Sequence, residues 1–532
     1  MNKQKRGHWG TRLGFILAAA GSAVGLGNLW KFPYKCYENQ GGAFFLVYLV
    51  AVVLVGFSIM VAEIMLGHYA KRNPIGTFKK LAPRSFWQII GWLGIITGFI
   101  ILSYYSVVAG WTIEYTIKSF TTSQYTAFDR QGMEKRIKDR IYKDQLADPQ
   151  YVKLHVAKRL VYLLEHGATR QTYQELDTMD LQEKEQVWLE FTQAPDFKQQ
   201  FNDMGTKMHI NDLFVKFLKN PYKQVLWHLV FMLATIYIVI NGVSHGIERW
   251  TTILMPTLFV LLLVLIVFSF VAGAPGKALK FLFVPHFEKL RPISLLEALG
   301  QAFFSLSLGM GVMLTYGSYI SKKTSLSKSA LQICFLDTMV AFMASLIMYP
   351  IIFGFNMQPT ESIGIIFTTL PYIFLQMPGG AVVAPLFFIL VAFAALTSTI
   401  SLLEVLVSYG VDERDWSRIK STLLIGGVIF LFGVPCALCN GSIRWVSKIF
   451  IFYREGKGLN WFDSMDYLAS NWLLPLGGFL IALYVGWVLD KQIKQQMLAF
   501  SSKWFFKAWS LVIRYFAPLA VFVILLNTTG VI

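Results

Sequence analysis

Residues 13–36 form an apolar run long enough to cross a bilayer, yet its centre, GSAVGLGN at 21–28, holds three glycines and an asparagine. Each glycine in a helix interior costs about 1 kcal/mol relative to alanine, so a continuous helix is disfavoured here. In a bilayer, backbone groups freed from a helix persist only where they line a cavity or are buried in protein. The interruption therefore predicts a ligand held near the membrane midplane.

The rest of the chain supports a membrane setting. Of 532 residues 55% are hydrophobic and 15% aromatic, and the mean hydropathy is +0.51, outside the range of soluble domains. Eleven apolar segments of spanning length are read at 13–36, 41–69, 88–119, 223–242, 247–272, 293–320, 327–355, 381–410, 420–440, 466–489 and 507–530. The net charge of +17 is unevenly spread. Residues 121–222 hold 15 basic and 15 acidic residues, leaving 33 and 16 elsewhere. Lys71, Arg72, Lys79, Lys80 and Arg84 share a loop with no acid between Ala70 and Trp87. Basic short loops mark the cytoplasmic side and argue against a nucleic-acid partner. The N-terminus is then cytoplasmic and, after an odd number of spans, the C-terminus lies outside, in a multi-pass protein of the cytoplasmic (inner) membrane. Residues 121–222 become a long extracytoplasmic helical loop between spans 3 and 4, inserted in a single domain of 1–532; the stretch 154–167 has an amphipathic helical pattern.

Several look-alike motifs fail on their chemistry. Lys3, Lys5, Arg6 and the alanines 18–20 imitate a secretion signal, but the apolar core before Ala18 is short and apolar character continues beyond it. Cys436 and Cys439 form CxxC without a second ligand pair, so zinc is not expected. GAPGKA at 273–278 lacks the spacing and hydroxyl of a phosphate loop, and neither HExxH nor a nucleophile–base pair suggests an enzyme. His228, alone in span 4, reads as a packing residue.

The glycine interruption recurs in span 6, where GQAFFSLSLGMGV occupies 300–312. Interrupted segments at matching places in two sets of five spans point to a transporter built from inverted repeats. The expected fold is all-α and multi-pass: two inverted five-helix repeats, spans 1–5 and 6–10, with helices 1 and 6 broken, plus an eleventh span.

Three stretches carry a resemblance: HWGTRLGFILAAAGSAVGLGNLWKFPY at 8–34, GQAFFSLSLGMGVMLTYGSY at 300–319 and AALTSTISLLE at 394–404. In them the chain resembles the neurotransmitter:sodium symporter family, particularly its eleven-span bacterial amino-acid transporters. The resemblance implies sodium-coupled import of an amino acid by alternating access, with two sodium ions. It implies a first sodium site from the carbonyls of Ala23 and Ser305, the Asn28 side chain and Asp337. A second would use the carbonyls of Gly21, Val24 and Ala394 with the hydroxyls of Thr397 and Ser398. Sodium is a hard cation that takes oxygen ligands, and broken helices supply them. The substrate carboxylate would meet the amides of Leu26 and Gly27 and the Tyr105 hydroxyl, beside Ala23 and Gly25. Ile101, Phe304, Ser305, Ser307, Met310, Ser398 and Leu402 would surround its side chain.

Monoamine members carry aspartate at the position of Gly25, so the chain suits a substrate that brings its own carboxylate. Met310 stands where leucine-type pockets have phenylalanine, and flexible methionine suits varied bulk; a large apolar or aromatic amino acid is expected. Asp337 replaces the common asparagine and Ala341 lacks the serine hydroxyl found in chloride-dependent members, so no chloride requirement is expected. Glu63 reads as support for amides freed by the breaks. An outer gate is implied at Lys31 and Asp466, and an inner gate at Arg6 and Asp412 with Trp9 and Tyr319. Residues 364–374 resemble the outer lid. Lipid surrounds the chain, and monomer and homodimer both stay open. The alternatives are a transporter coupled to protons through Asp337 and Glu63, and an amino-acid sensor without flux.

Overall fold

The computed structural model of the chain describes residues 7–121, 197–321, 324–355, 365–443, 445–454 and 457–529. Two compact units divide it: Met1–Phe120 with Val215–Ile532, and Thr121–Phe214. Of the second, the described part beyond Thr121 belongs to the helix Phe197–Leu218; the amphipathic stretch 154–167 lies outside the described residues.

Among the described residues, nine helices are long and apolar enough to cross a membrane. They are Gly42–Ala70, Phe86–Ser119, Pro221–Ile240, Val243–Ala272, Leu326–Gly354, Gly380–Arg414, Arg418–Leu438, Trp461–Val488 and Lys503–Thr528, hereafter spans 2–5 and 7–11. Span 1 is a bent pair, Arg12–Ala23 and Gly27–Glu38, at 57°. Span 6 is two shorter helices, Pro292–Ser305 and Val312–Ser318. Both interruptions expected from glycine content are therefore present. Span 10 starts at Trp461 rather than 466, because Asn460 caps it by accepting a hydrogen bond from the Asp463 amide at 2.9 Å. Among the described residues, Phe452–Arg454 also pairs antiparallel with Lys457–Leu459.

The chemistry of each half-helix explains its ends. Thr11 caps the first half of span 1, accepting from Gly14 N. Glu248, at the start of span 5, covers the same terminus: its carboxylate accepts from Gly10 N at 2.7 Å and Thr11 N at 2.9 Å, placing negative charge at a positive helix end. The half ends at Val24, which is extended (φ −71°, ψ 107°), and the chain resumes as a wide π-turn, Gly27–Lys31. Span 6 unwinds through Ser307 (φ 53°) and Gly309 (φ 82°). A side chain at Gly309 would also meet the Leu474 carbonyl at 2.5 Å, so both backbone conformation and close approach require glycine.

The two breaks are enclosed. The first half of span 1 packs against spans 5, 7 and 8, and span 3 packs along span 8. Residues 14–29 of span 1 are almost wholly buried. His228 is a packing residue, buried and stacked on Phe430 with ring centroids 4.8 Å apart. The 273–278 stretch is a turn opening the short helix Pro275–Phe283, its Ala274 amide donating to Pro350 O at 2.8 Å.

Candidate functional site

Two polar clusters meet at the broken helices. In the first, Asp337 of span 7 is fully buried. Asn28 Nδ2 donates to Asp337 Oδ1 at 2.7 Å, and the Ser305 hydroxyl reaches the two carboxylate oxygens at 2.9 and 2.8 Å. Asn28 Nδ2 also lies 2.9 Å from Ser305 Oγ, and the Tyr48 hydroxyl approaches Asp337 Oδ2 at 3.5 Å. Among the described residues no lysine, arginine or histidine forms an ion pair with Asp337. A buried carboxylate held only by neutral donors carries a large desolvation cost, which a small cation would relieve.

The second cluster is neutral. Ser398 Oγ faces three carbonyl oxygens, Ser22 and Val24 at 3.3 Å and Ala394 at 3.2 Å. Thr397 Oγ1 stands 3.0 Å from Ala394 O and 3.2 Å from Phe393 O. One hydroxyl has one proton, so most of these lone pairs stay available to a cation. Gly21 lies against the same pair: a Cβ there would sit 3.1 Å from Thr397 Cβ.

Between the clusters opens a cavity of about 460 Å³, a usual size for a small-molecule site. Its walls include all twelve residues expected around the substrate: Ala23, Gly25, Leu26, Gly27, Ile101, Tyr105, Phe304, Ser305, Ser307, Met310, Ser398 and Leu402. At one end the Leu26 amide donates to the Tyr105 hydroxyl at 3.2 Å. The Ser307 hydroxyl donates to Ser22 O at 2.9 Å, tying the two breaks together. Gly25 allows a close approach, since a Cβ there would lie 2.9 Å from Ser398 Oγ and 3.0 Å from Tyr105 Oη. Glu63 Oε1 accepts from the Gly309 amide at 2.7 Å, supporting a freed backbone donor without lining the cavity.

The cavity extends past Lys31 to Asp466. Lys31 Nζ stands 4.1 Å from the Phe304 ring centroid, in cation–π range, while Asp466 Oδ1 accepts from Ser470 Oγ at 3.0 Å. Tyr104, Val108, Phe462 and Asp463 also line this part; nothing in their local sequence singled them out. In the lid segment the described residues include the π-turn Ile365–Thr369, where Phe367 lies 4.9 Å from the Tyr115 ring.

The opposite end is closed by packed groups. Trp9 Nε1 donates to Tyr316 O at 3.0 Å, and its ring lies 5.1 Å from that of Tyr316 and 6.4 Å from that of Tyr319. Arg6 lies outside the described residues. Asp412 Oδ2 accepts from the Asn73 amide at 2.9 Å. A further ion pair stands behind Tyr319, whose hydroxyl donates to Glu404 Oε1 at 2.7 Å, while Arg418 pairs with both Glu404 oxygens. The Arg418 partnership is missed by sequence reading; the available signal was Glu404 itself, an acid deep in an apolar span.

A model of the Sodium:neurotransmitter symporter family matches residues 6–161 and 169–531. The uncharacterized sodium-dependent transporter YhdH of Bacillus subtilis (strain 168) is 34% identical over 535 residues, covering 100% of each chain. An uncharacterized sodium-dependent transporter of Haemophilus influenzae is 27% identical over 99% of each. Among solved structures, MhsT in complex with L-phenylalanine matches with a TM-score of 0.75 at 36% identity, covering 98% of this chain and 100% of that one.

Proposed function

The chain belongs to the sodium:neurotransmitter symporter family, and from that membership we propose that it imports a large apolar or aromatic amino acid with two sodium ions, by alternating access and without chloride. The observation that carries this reading is the buried Asp337 cluster beside a cavity whose end presents the Leu26 amide and the Tyr105 hydroxyl. A zwitterion fits that arrangement: its carboxylate takes the amides of Leu26 and Gly27 and the first sodium, which Asp337, Asn28, Ser305 and Ala23 hold. The second sodium sits among Gly21, Val24, Ala394, Thr397 and Ser398. The apolar side chain then lies among Ile101, Phe304, Met310 and Leu402. L-phenylalanine, the ligand in the MhsT structure, is a substrate of the matching class.

Lys31 and Asp466 act at the outer mouth, and Arg6, Asp412, Trp9 and Tyr319 at the inner closure, with Glu404 and Arg418 holding Tyr319. The N-terminus faces the cytoplasm. Two sodium ions moving through 100 mV release about 4.6 kcal/mol, and a tenfold gradient adds about 1.4 kcal/mol for each ion. The sum sustains accumulation near 10⁵-fold, so no other energy source is needed.

Proteoliposomes given sodium and proton gradients separately test the coupling. Uptake of labelled phenylalanine on a sodium gradient alone is expected. Uptake on a pH gradient alone would transfer the role to a protonated Asp337. Competition by each of the twenty amino acids against that tracer then assigns the side-chain class.

A further inference from the structure

Span 11 carries an arginine where the membrane offers no obvious partner. Arg514 is exposed on Lys503–Thr528, whereas charged residues in spanning helices normally face the bundle interior or an aqueous cavity. Among the described residues it forms no ion pair with a carboxylate. Two rings flank it instead: its guanidinium carbon lies 4.2 Å from the Trp487 centroid and 5.5 Å from that of Tyr515. Both rings are exposed, at 54% and 52%.

The arrangement is held from both helices. Trp487 and Arg514 each sit in a π-turn, Tyr484–Val488 of span 10 and Val512–Phe516 of span 11, a wide-turn feature often found at functional positions. The Trp487 indole donates to Arg514 O at 2.9 Å. Span 10 ends at Val488, and Lys494, on the short helix Lys491–Met497 that follows, donates to Val485 O at 2.9 Å. Burial, and then the nearby Arg514 charge, lower the Lys494 ammonium from its ordinary value. The neighbouring acid, Asp490, caps that short helix through Gln492 N at 2.8 Å. Three cations, Arg514, Lys494 and Lys491, and two exposed amphipathic rings thus gather beside the end of span 10 with one neighbouring acid, Asp490.

We propose that Arg514, Lys494, Trp487 and Tyr515 form a headgroup site for an anionic phospholipid. The phosphate takes the guanidinium edge, which stays free when the aromatic rings cover its faces, and the ammonium of Lys494. The rings fill the interfacial zone that tryptophan and tyrosine favour, and the acyl chains run along spans 10 and 11. The family reading enters only in naming the leaflet, which is the cytoplasmic one when the N-terminus is cytoplasmic.

Native mass spectrometry of the full-length protein in detergent tests this, titrated with phosphatidylglycerol and phosphatidylethanolamine. Wild type is expected to retain the anionic lipid in preference. Arg514→Gln and Lys494→Gln should each reduce that preference about fivefold, Arg514→Lys less, and the exposed Arg84→Gln not at all. Thermal unfolding of each variant in lipid-free detergent separates loss of the site from loss of the fold. Equal retention of both lipids by wild type, or undiminished preference in the folded Arg514→Gln/Lys494→Gln double variant, overturns the site. Displacement of the lipid by millimolar inorganic phosphate overturns its assignment to a lipid. None of these readouts involves transport, so failure here and failure of the transport reading stay distinguishable.

Discussion

The two polar clusters at the breaks are built on different principles. Around Asp337, side chains from spans 1, 2 and 6 converge on one fully buried carboxylate of span 7. Around Ser398, the oxygens are neutral, chiefly backbone carbonyls of span 1 and span 8. A charged cluster depends on one functional group and is lost when that group is removed. A set of dipoles depends on spacing and is lost when two helices part. The contrast shows how one unwound segment can serve both: span 1 lends the Asn28 side chain to the charged cluster and bare carbonyls to the neutral one.

The sharpest way to break the comparison is to remove the charge. Asp337→Ala should weaken sodium-dependent binding of labelled phenylalanine by about a hundredfold or more, the scale seen when a buried charged partner is deleted. A sodium titration within a few-fold of wild type would show that the carboxylate is not the dominant ligand.

Crowding the shared segment comes next. Gly25→Ala puts a methyl 2.9 Å from Ser398 Oγ and 3.0 Å from Tyr105 Oη. Overpacking of this kind costs about 1–3 kcal/mol, so amino-acid affinity should fall about 5- to 100-fold in equilibrium binding, with half-saturating sodium moving less. A larger change in sodium than in substrate would invert the assignment of the Tyr105 end to the carboxylate.

Deleting one neutral ligand should do less. Ser398→Ala removes a single hydroxyl, worth about 1 kcal/mol, and half-saturating sodium for uptake should rise about fivefold. An effect matching that of Asp337→Ala would erase the distinction between the clusters. The smallest expected effect is none. Replacing chloride by gluconate should leave the uptake rate unchanged if Asp337 takes the place of the anion as proposed, and Ala341 offers no hydroxyl to hold one.

Much of this architecture was legible in the chain. Gly21, Gly25 and Gly27 announced the first break, and Gly309 with Gly311 the second, because glycine-rich stretches in long apolar runs lower the stability of a continuous helix. The twelve residues expected around the substrate line one cavity. Glu63 was read as a backbone support and accepts from the Gly309 amide. Less was legible at the closures. Lys31 lies over the Phe304 ring, a contact between spans 1 and 6 that no local pattern encodes. The Glu404–Arg418 pair joins the interior of span 8 to the first residue of span 9, and its hydrogen bond to Tyr319 depends on how span 6 packs against span 8.

By itself the sequence determined that the chain is helical and multi-pass, where two of its apolar segments come apart, and which residue types cluster at those places. Hydrophobicity and helix propensity act along the chain, so their signals survive in one dimension. Tertiary structure alone decided the contacts beyond those the resemblance implied: that Ser398 would also meet the Ser22 carbonyl, that the Tyr48 hydroxyl would approach Asp337, and that the Arg514 guanidinium would lie 4.2 Å from the Trp487 ring centroid. Those contacts are set by helix crossing and rotation over a few ångströms, and distance-dependent forces between remote residues leave no periodic trace in the order of amino acids.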